Sequence, residues 1–525
     1  VEEPGQGRRL ARSTAFFAAA TGLSRVLGLV REIVSAYFFG ISGRINAFTV
    51  AYQIPNLVRA LVADMALSGA FVPIFSELLT KSDRARAWRF ASTIFWLMLL
   101  GLTGLTALLI LIAPLLIRPF GDPGGDFDLA VGLSRVLYPT IVLLGLSGIV
   151  VGILNAYDQF SVPALTPVFW NLAIIAGLLL GVPAVDGESA ELYVYAFAIL
   201  VATLIQFLLP LPWLRGLDGR LRLVCDWRDP LVRRFFSLML PVTLTLGLVN
   251  VNAVVDVLFA SRLIDPEQAP TAIDKAFRLY MLPQGMFSVA VATVLFPLLS
   301  RLAAREELGE FRRTVDLGIR QIGFLLIPAS MVLGVLAEPI VRLVFQRGAF
   351  TAANTPVVAG ALAAFSAGLV FNGWLLMLTR AFYSLQSNWI PTTVALGTVG
   401  LNAALDAVFY RFGVWGIPLA TSVVNIVGVV VMLAALRRRV GIESPRRTIG
   451  AVARIVIASL AATAVGLLVW WVLDDVLGRS LVAQILSVGS GIALATLTYG
   501  AAAKTLGVRE LDALLTLRGG RSDAR

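Results

Sequence analysis

Long apolar runs recur from one end of this 525-residue chain to the other. A helix needs about 20 apolar residues to cross about 30 Å of hydrocarbon. About fourteen runs reach that length. They fall near 13–40, 46–79, 88–117, 131–156, 163–183, 191–214 and 236–261. They continue near 273–302, 314–346, 355–384, 389–410, 415–436, 450–473 and 480–503. Lipid offers no partner to an open backbone N–H or C=O, so a run of this length and kind must be helical. The chain is expected to be all-α, a polytopic membrane protein with about 14 transmembrane helices.

Composition narrows the chemistry. The chain is 58% hydrophobic and 14% charged, against about 25% charged for soluble domains. It has no histidine, which removes Ser-His and Cys-His catalysis. Its one cysteine, Cys225, cannot form an intrachain disulfide. No Walker A sequence is present. A transporter is expected rather than an enzyme. The N-terminal "RRLARSTAFFAAATG" has the basic start of a signal peptide, yet its apolar run continues past Arg25, so it reads as the first spanning helix.

The net charge of +11 is unevenly placed. Lys and Arg collect at 8–12, 81–89, 215–234, 301–313, 437–447 and 504–525. The alternate connections, 122–128, 186–191, 265–267 and 474–475, are acidic or nearly neutral. Positive loops stay in the cytoplasm, so both termini are expected there, and no nucleic-acid partner is needed to explain the charge.

The chain also repeats itself. "AYQIPNLV" at 51–58 matches "LYMLPQGM" at 279–286, and "GAFVPIFSELL" matches "TVLFPLLSRLA". "LNAYDQFSVPALTP" matches "TRAFYSLQSNWIPTT", and "APLLIRPFG" matches "AEPIVRLVFQRG". Pro55 and Pro283 are 228 residues apart, as are Pro163 and Pro391. The expectation is two six-helix lobes of like orientation around a central cavity, at 13–214 and 236–436. Two further helices at 450–503 and a cytoplasmic tail at 504–525 complete the plan.

Charges inside the spans mark candidate sites. Arg25, Arg31 and Glu32 lie in the first span, Arg59 and Asp64 in the second, and Arg278 in the eighth. A charge at the bilayer centre costs about 2.5–3.5 kcal/mol on insertion scales. The cost is avoided if these arginines line a wet cavity, where their forks suit phosphate oxygens bidentately. The competing reading is that they snorkel, or pair with Glu32 and Asp64. Arg25 and Arg31 are about 120° apart around an ideal helix, which bending at Gly22 or Gly28 could relieve. A second constellation joins Asp256 to Asn402 and Asp406, one helical turn apart, with Thr421 or Ser422 nearby in the twelfth span. Buried hard oxygens suit Na⁺ or H⁺. A polar helix–helix contact explains them equally well.

"SRVLGLVRE", "AYQIPNLVRALVADMALSGAFVPIFSE", "FRLYMLPQGMFSVAVATVLFPLLS", "LVFQRGAFTAANT" and "RAFYSLQSNWIPT" resemble the MurJ (MviN) family, over about 13–500. The resemblance implies flipping of lipid II, or a related undecaprenyl-pyrophosphate-linked glycan, across the bacterial cytoplasmic membrane. It implies a cavity with Arg25, Arg31, Arg59 and Arg278 as substrate arginines; Asn46, Glu32 and Asp64 join them as substrate-binding candidates from the sequence itself. It implies a lipid-tail groove at the last two helices. No cofactor is implied beyond a Na⁺ coupling ion, at Asp256, Asn402, Asp406 and a hydroxyl of Thr421 or Ser422. Membrane lipids and cell-wall synthases are the expected partners. The chain departs from many members at Asn46, where they carry Asp, and from some at Gln53, Phe277 and Met281. Those departures leave a second substrate open, another undecaprenyl-linked glycan. A drug exporter for cations suits an arginine-lined cavity poorly. A non-transporting scaffold for wall synthesis is the alternative from another class.

Overall fold

The computed structural model describes residues 6–511 apart from 60, 62–65, 388, 442–444 and 509. The side chains of 6–18, 66–69, 241, 242, 244–249 and 445–447 also lie outside the description, as does Asp64. Among the described residues there is helix and no strand. Eleven of the described helices are long and apolar enough to cross a membrane. The sequence-expected spans at 13–40, 46–79 and 236–261 each include residues or side chains outside the description.

The chain divides into two compact units, Val1–Thr271 and Ala272–Arg525. The first holds α1 (Gln6–Phe39), α2 (Ile45–Arg59), α3 (Ala66–Thr80), α4 (Arg84–Leu111) and α5 (Ala113–Ile117). It continues with α6 (Phe127–Leu137), α7 (Thr140–Ala156), α8 (Ser161–Gly181), α9 (Glu188–Leu208) and α10 (Pro230–Phe259). The boundary falls inside α11 (Ala269–Pro283). The second unit holds α12 (Val289–Ala304), α13 (Leu308–Val335), α14 (Ala337–Phe345) and α15 (Asn354–Ser384). It ends with α16 (Trp389–Phe409), α17 (Gly416–Val440), α18 (Pro445–Leu477) and α19 (Leu481–Thr505).

Several expected single spans are broken helices. The run 88–117 is split at Ile112, and 314–346 at Leu336. Each break is followed within a few residues by a proline, Pro114 or Pro339, which has no N–H to continue the ladder. The run 273–302 changes to a π turn over Gln284–Ser288, directly after Pro283. Pro55 stands near the end of α2 in the matching place. The breaks therefore recur at repeat-related positions.

Helix ends repeat too. Among the described residues, the non-glycine residues with positive φ are Ser82, Asp158, Glu306 and Gln386. Ser82 and Glu306 are 224 apart, as are Pro73 and Pro297. Asp158 and Gln386 are 228 apart, the offset of Pro163 and Pro391. Each closes a helix with a left-handed residue followed by an N–H reaching five residues back. Asp83 N donates to Leu78 O at 3.1 Å, and Glu307 N to Leu302 O at 3.0 Å. Gln159 N to Leu154 O and Ser387 N to Phe382 O are both 2.9 Å.

One helix belongs to the second repeat by sequence and to the first unit by packing. α10 packs on α2, α3 and α4, and Arg234 pairs with Glu77 of α3 at 2.9 Å. In the second unit, α18 packs along α19 and α13. Gly466 and Gly491 allow the first pair to approach closely, since a Cβ on Gly491 would lie 2.9 Å from the Gly466 carbonyl.

Candidate functional site

α1 runs unbroken through Gly22 and Gly28, so Arg25 and Arg31 keep different faces. Arg25 is exposed. Arg31 turns to α8: its guanidinium lies 4.8 Å over the Trp170 ring and bonds Glu32 Oε1 at 2.6 Å. Only 12% of the Arg31 side chain and 7% of that of Glu32 remain exposed. Trp170 Nε1 in turn donates to Thr203 Oγ1 of α9 at 3.1 Å. Asn171 donates to Pro167 O at 2.9 Å and to Ser24 O at 3.4 Å, tying α8 back to α1. Neither glycine interrupts the helix.

Arg59 ends α2, half-buried, and donates to Asn56 Oδ1 from Nη2 at 3.0 Å and from Nε at 3.3 Å. In the second unit, Arg278 of α11 donates to Asp274 at 3.1 Å, one turn earlier. Both arginines therefore have a short polar residue on the preceding turn of their own helix. Asn56 and Asp274 were not singled out from sequence. The i, i+3 and i, i+4 spacings were the available signal.

Asn46 departs from the expected substrate role. It is fully buried, and its amide is spent on backbone. Nδ2 donates to Ile41 O at 2.9 Å, to Gly43 O at 3.0 Å, and to Glu267 O. Oδ1 accepts from Thr271 N at 3.0 Å. Thr49 Oγ1 and Thr271 Oγ1 lie 2.8 Å apart beside it. Asn46 is thus a staple between the α1–α2 turn and the start of α11. Glu32 is likewise directed at Arg31.

The cation constellation divides between the units. Asp256, in α10 of the first unit, is buried. In the second unit, Asn402 Nδ2 donates to Asp406 Oδ2 at 2.9 Å, and both residues are fully buried. On α16 the buried residues are Pro391, Asn402 and Asp406, so the inward stripe of this helix is polar. Ser422 of α17 donates to Ala364 O at 2.6 Å, and Thr421 to Ile417 O at 3.3 Å. Their oxygens retain lone pairs as possible ligands. Within this unit the set is one carboxylate with neutral hard oxygens.

A buried pair that sequence reading missed lies elsewhere in the second unit. Arg342 of α14 bonds Asp474 of α18, with its guanidinium 5.8 Å from the Trp470 ring. It links α14 to α18, the first of the two helices beyond the repeat.

A family model described as "Lipid II flippase MurJ" matches residues 35–486. The chain is 32% identical over 438 residues to the lipid II flippase MurJ of Burkholderia cenocepacia, covering 81% of this chain and 83% of that one. It is 31% identical over 523 residues to the probable lipid II flippase MurJ of Vibrio cholerae, covering 96% and 98%. A solved lipid II flippase MurJ in an inward closed conformation superposes with a TM-score of 0.77 at 26% identity, over 93% of this chain and 99% of that one. An inward-facing MATE family multidrug transporter shares the fold, with a TM-score of 0.63 at 17% identity over 79% and 94%. These are names of transporters, not of enzymes. With its broken helices, its repeat-related caps and a family match running from α1 into α19, this chain belongs to the MurJ family of lipid II flippases.

Proposed function

We propose that the chain carries lipid II from the cytoplasmic to the outer leaflet of the bacterial cytoplasmic membrane by alternating access. The match to the family model over 35–486 carries this reading. The exposed Arg25, with Arg59 and Arg278, engages the pyrophosphate, since guanidinium forks pair with phosphate oxygens. Asn56 and Asp274 hold the latter two arginines until the stronger, doubly charged ligand arrives. Asn402 and Asp406, with Asp256 and the Thr421 or Ser422 hydroxyl, are the residues that would hold Na⁺. The ion would supply coupling rather than chemistry, biasing whichever conformer it binds better. Both termini are cytoplasmic in this reading.

Complementation tests it. The chain should support growth of a bacterium depleted of its sole lipid II flippase. Arg25→Ala, Arg59→Ala and Arg278→Ala should each abolish growth at normal membrane levels. Rescue by all three variants would instead favour a scaffold for wall synthesis.

A further inference from the structure

The connection between α9 and α10 is pinned along the side of α4. Arg222 N donates to Ser92 Oγ at 3.0 Å, and Trp96 Nε1 donates to Arg222 O at 2.8 Å. Asp226 N donates to Thr93 Oγ1 at 3.3 Å. Arg84 pairs with Asp218 at 3.1 Å and Arg89 with Asp226 at 3.4 Å. Gly219 sits against Trp88, where a Cβ would lie 2.3 Å from the indole.

These attachments set a depth. α4 carries no charge after Arg89, and no charged residue follows until Arg118. At 1.5 Å per residue, Trp96 is about 10 Å beyond Arg89 along the helix. The connection at Arg222 thus runs beside the first turns of the apolar stretch, where headgroups meet acyl chains. There it presents Leu223, 84% exposed, and Trp227, 64% exposed. Arg215, Arg220, Arg222 and Arg228 are exposed around them. The three acids of this segment are engaged: Asp218 and Asp226 by α4, and Asp229 by the N–H of Leu231 at 2.8 Å. What remains outward is apolar anchors fringed by cations, the pattern of an interfacial membrane element.

We propose that residues 215–228 form a binding site for anionic phospholipid headgroups of the cytoplasmic leaflet, with Leu223 and Trp227 inserted and Arg220, Arg222 and Arg228 on the phosphates. Arginine stems are long enough to lie along acyl chains while their forks stay at the phosphate level. Basic residues near such a surface attract anionic lipid additively. The connection joins α9 to α10, so the lipid would grip the one chain segment that links the first repeat to the second.

The chain supplies its own probe. Cys225 is its one cysteine and is exposed at the centre of the segment. The full-length protein, labelled there with an environment-sensitive fluorophore, is reconstituted in vesicles containing brominated phosphatidylglycerol or brominated phosphatidylcholine at equal mole fraction. Quenching by the anionic lipid should exceed that by the neutral one several-fold. The excess should fall in high salt and vanish in an Arg220→Gln, Arg222→Gln, Arg228→Gln variant, whose attachments to α4 run through other side chains and the backbone. Equal quenching by the two lipids, an excess that survives the triple variant, or a probe reporting bulk water in both vesicles would overturn the proposal.

Discussion

Arg25 and Arg31 share one unbroken helix, and six residues of spacing separate their surroundings. Arg25 is exposed, whereas Arg31 is held by the Trp170 face and the Glu32 carboxylate. Removing one partner of a buried pair costs about 3–5 kcal/mol. Arg31→Ala should therefore lower the thermal midpoint of the detergent-solubilised protein markedly, and Arg25→Ala should leave it nearly unchanged. Equal midpoints for the two variants would show that the Arg31–Glu32 pair carries no structural weight. The sequence placed both arginines in one membrane helix. Which of them was occupied depended on Trp170, which lies in a different helix and left no local signal near Arg31.

α15 and α17 meet where Gly368 faces Ser422, and a Cβ on Gly368 would lie 2.6 Å from Ser422 Cα. The contact is backbone against backbone, so no rotamer change can relieve it. Overpacking of this kind costs about 1–3 kcal/mol. Gly368→Ala should destabilise the second unit by roughly that amount, read as a fall in thermal midpoint. Gly397 and Gly400 of α16 have open space at the same position. Alanine there should be neutral or slightly stabilising, by up to about 1 kcal/mol, from helix propensity alone. A Gly368→Ala protein as stable as these controls would mean that the two helices shift apart without cost. In the sequence Pro55, Pro283, Pro114 and Pro339 served only to align the repeat, and the helix breaks beside Pro283, Pro114 and Pro339 appear only in the structure. The left-handed ends at Ser82, Asp158, Glu306 and Gln386 were not legible either, because none of them is glycine.

The charge asymmetry of the loops predicts a threading for the whole chain. Single cysteines in a Cys225→Ser background should react with a membrane-impermeant thiol reagent from the cytoplasmic side at Arg220, Arg305 and Arg438. Those at Asp122, Asp186 and Asp475, all exposed, should react from the outside. One site reacting from the wrong side would mean a span gained or lost before it. The asymmetry also gives a check on the count of apolar runs, since each added or missing span would invert every loop after it.

The helical class, the long apolar runs and the charges lying within them could be read from residue order, because hydropathy acts over one or two helical turns. Side-chain partners could not. Asn46 is a substrate candidate by sequence, yet its amide is bonded to Ile41, Gly43, Glu267 and Thr271. α10 opens the second repeat by sequence, yet packs on α2, α3 and α4. The connection at 215–228 read as one more basic loop, and only Ser92, Thr93 and Trp96 show that it climbs the side of α4. In each case the deciding partner is remote in sequence, and a remote partner is brought within hydrogen-bond reach only by the packing of helices against one another.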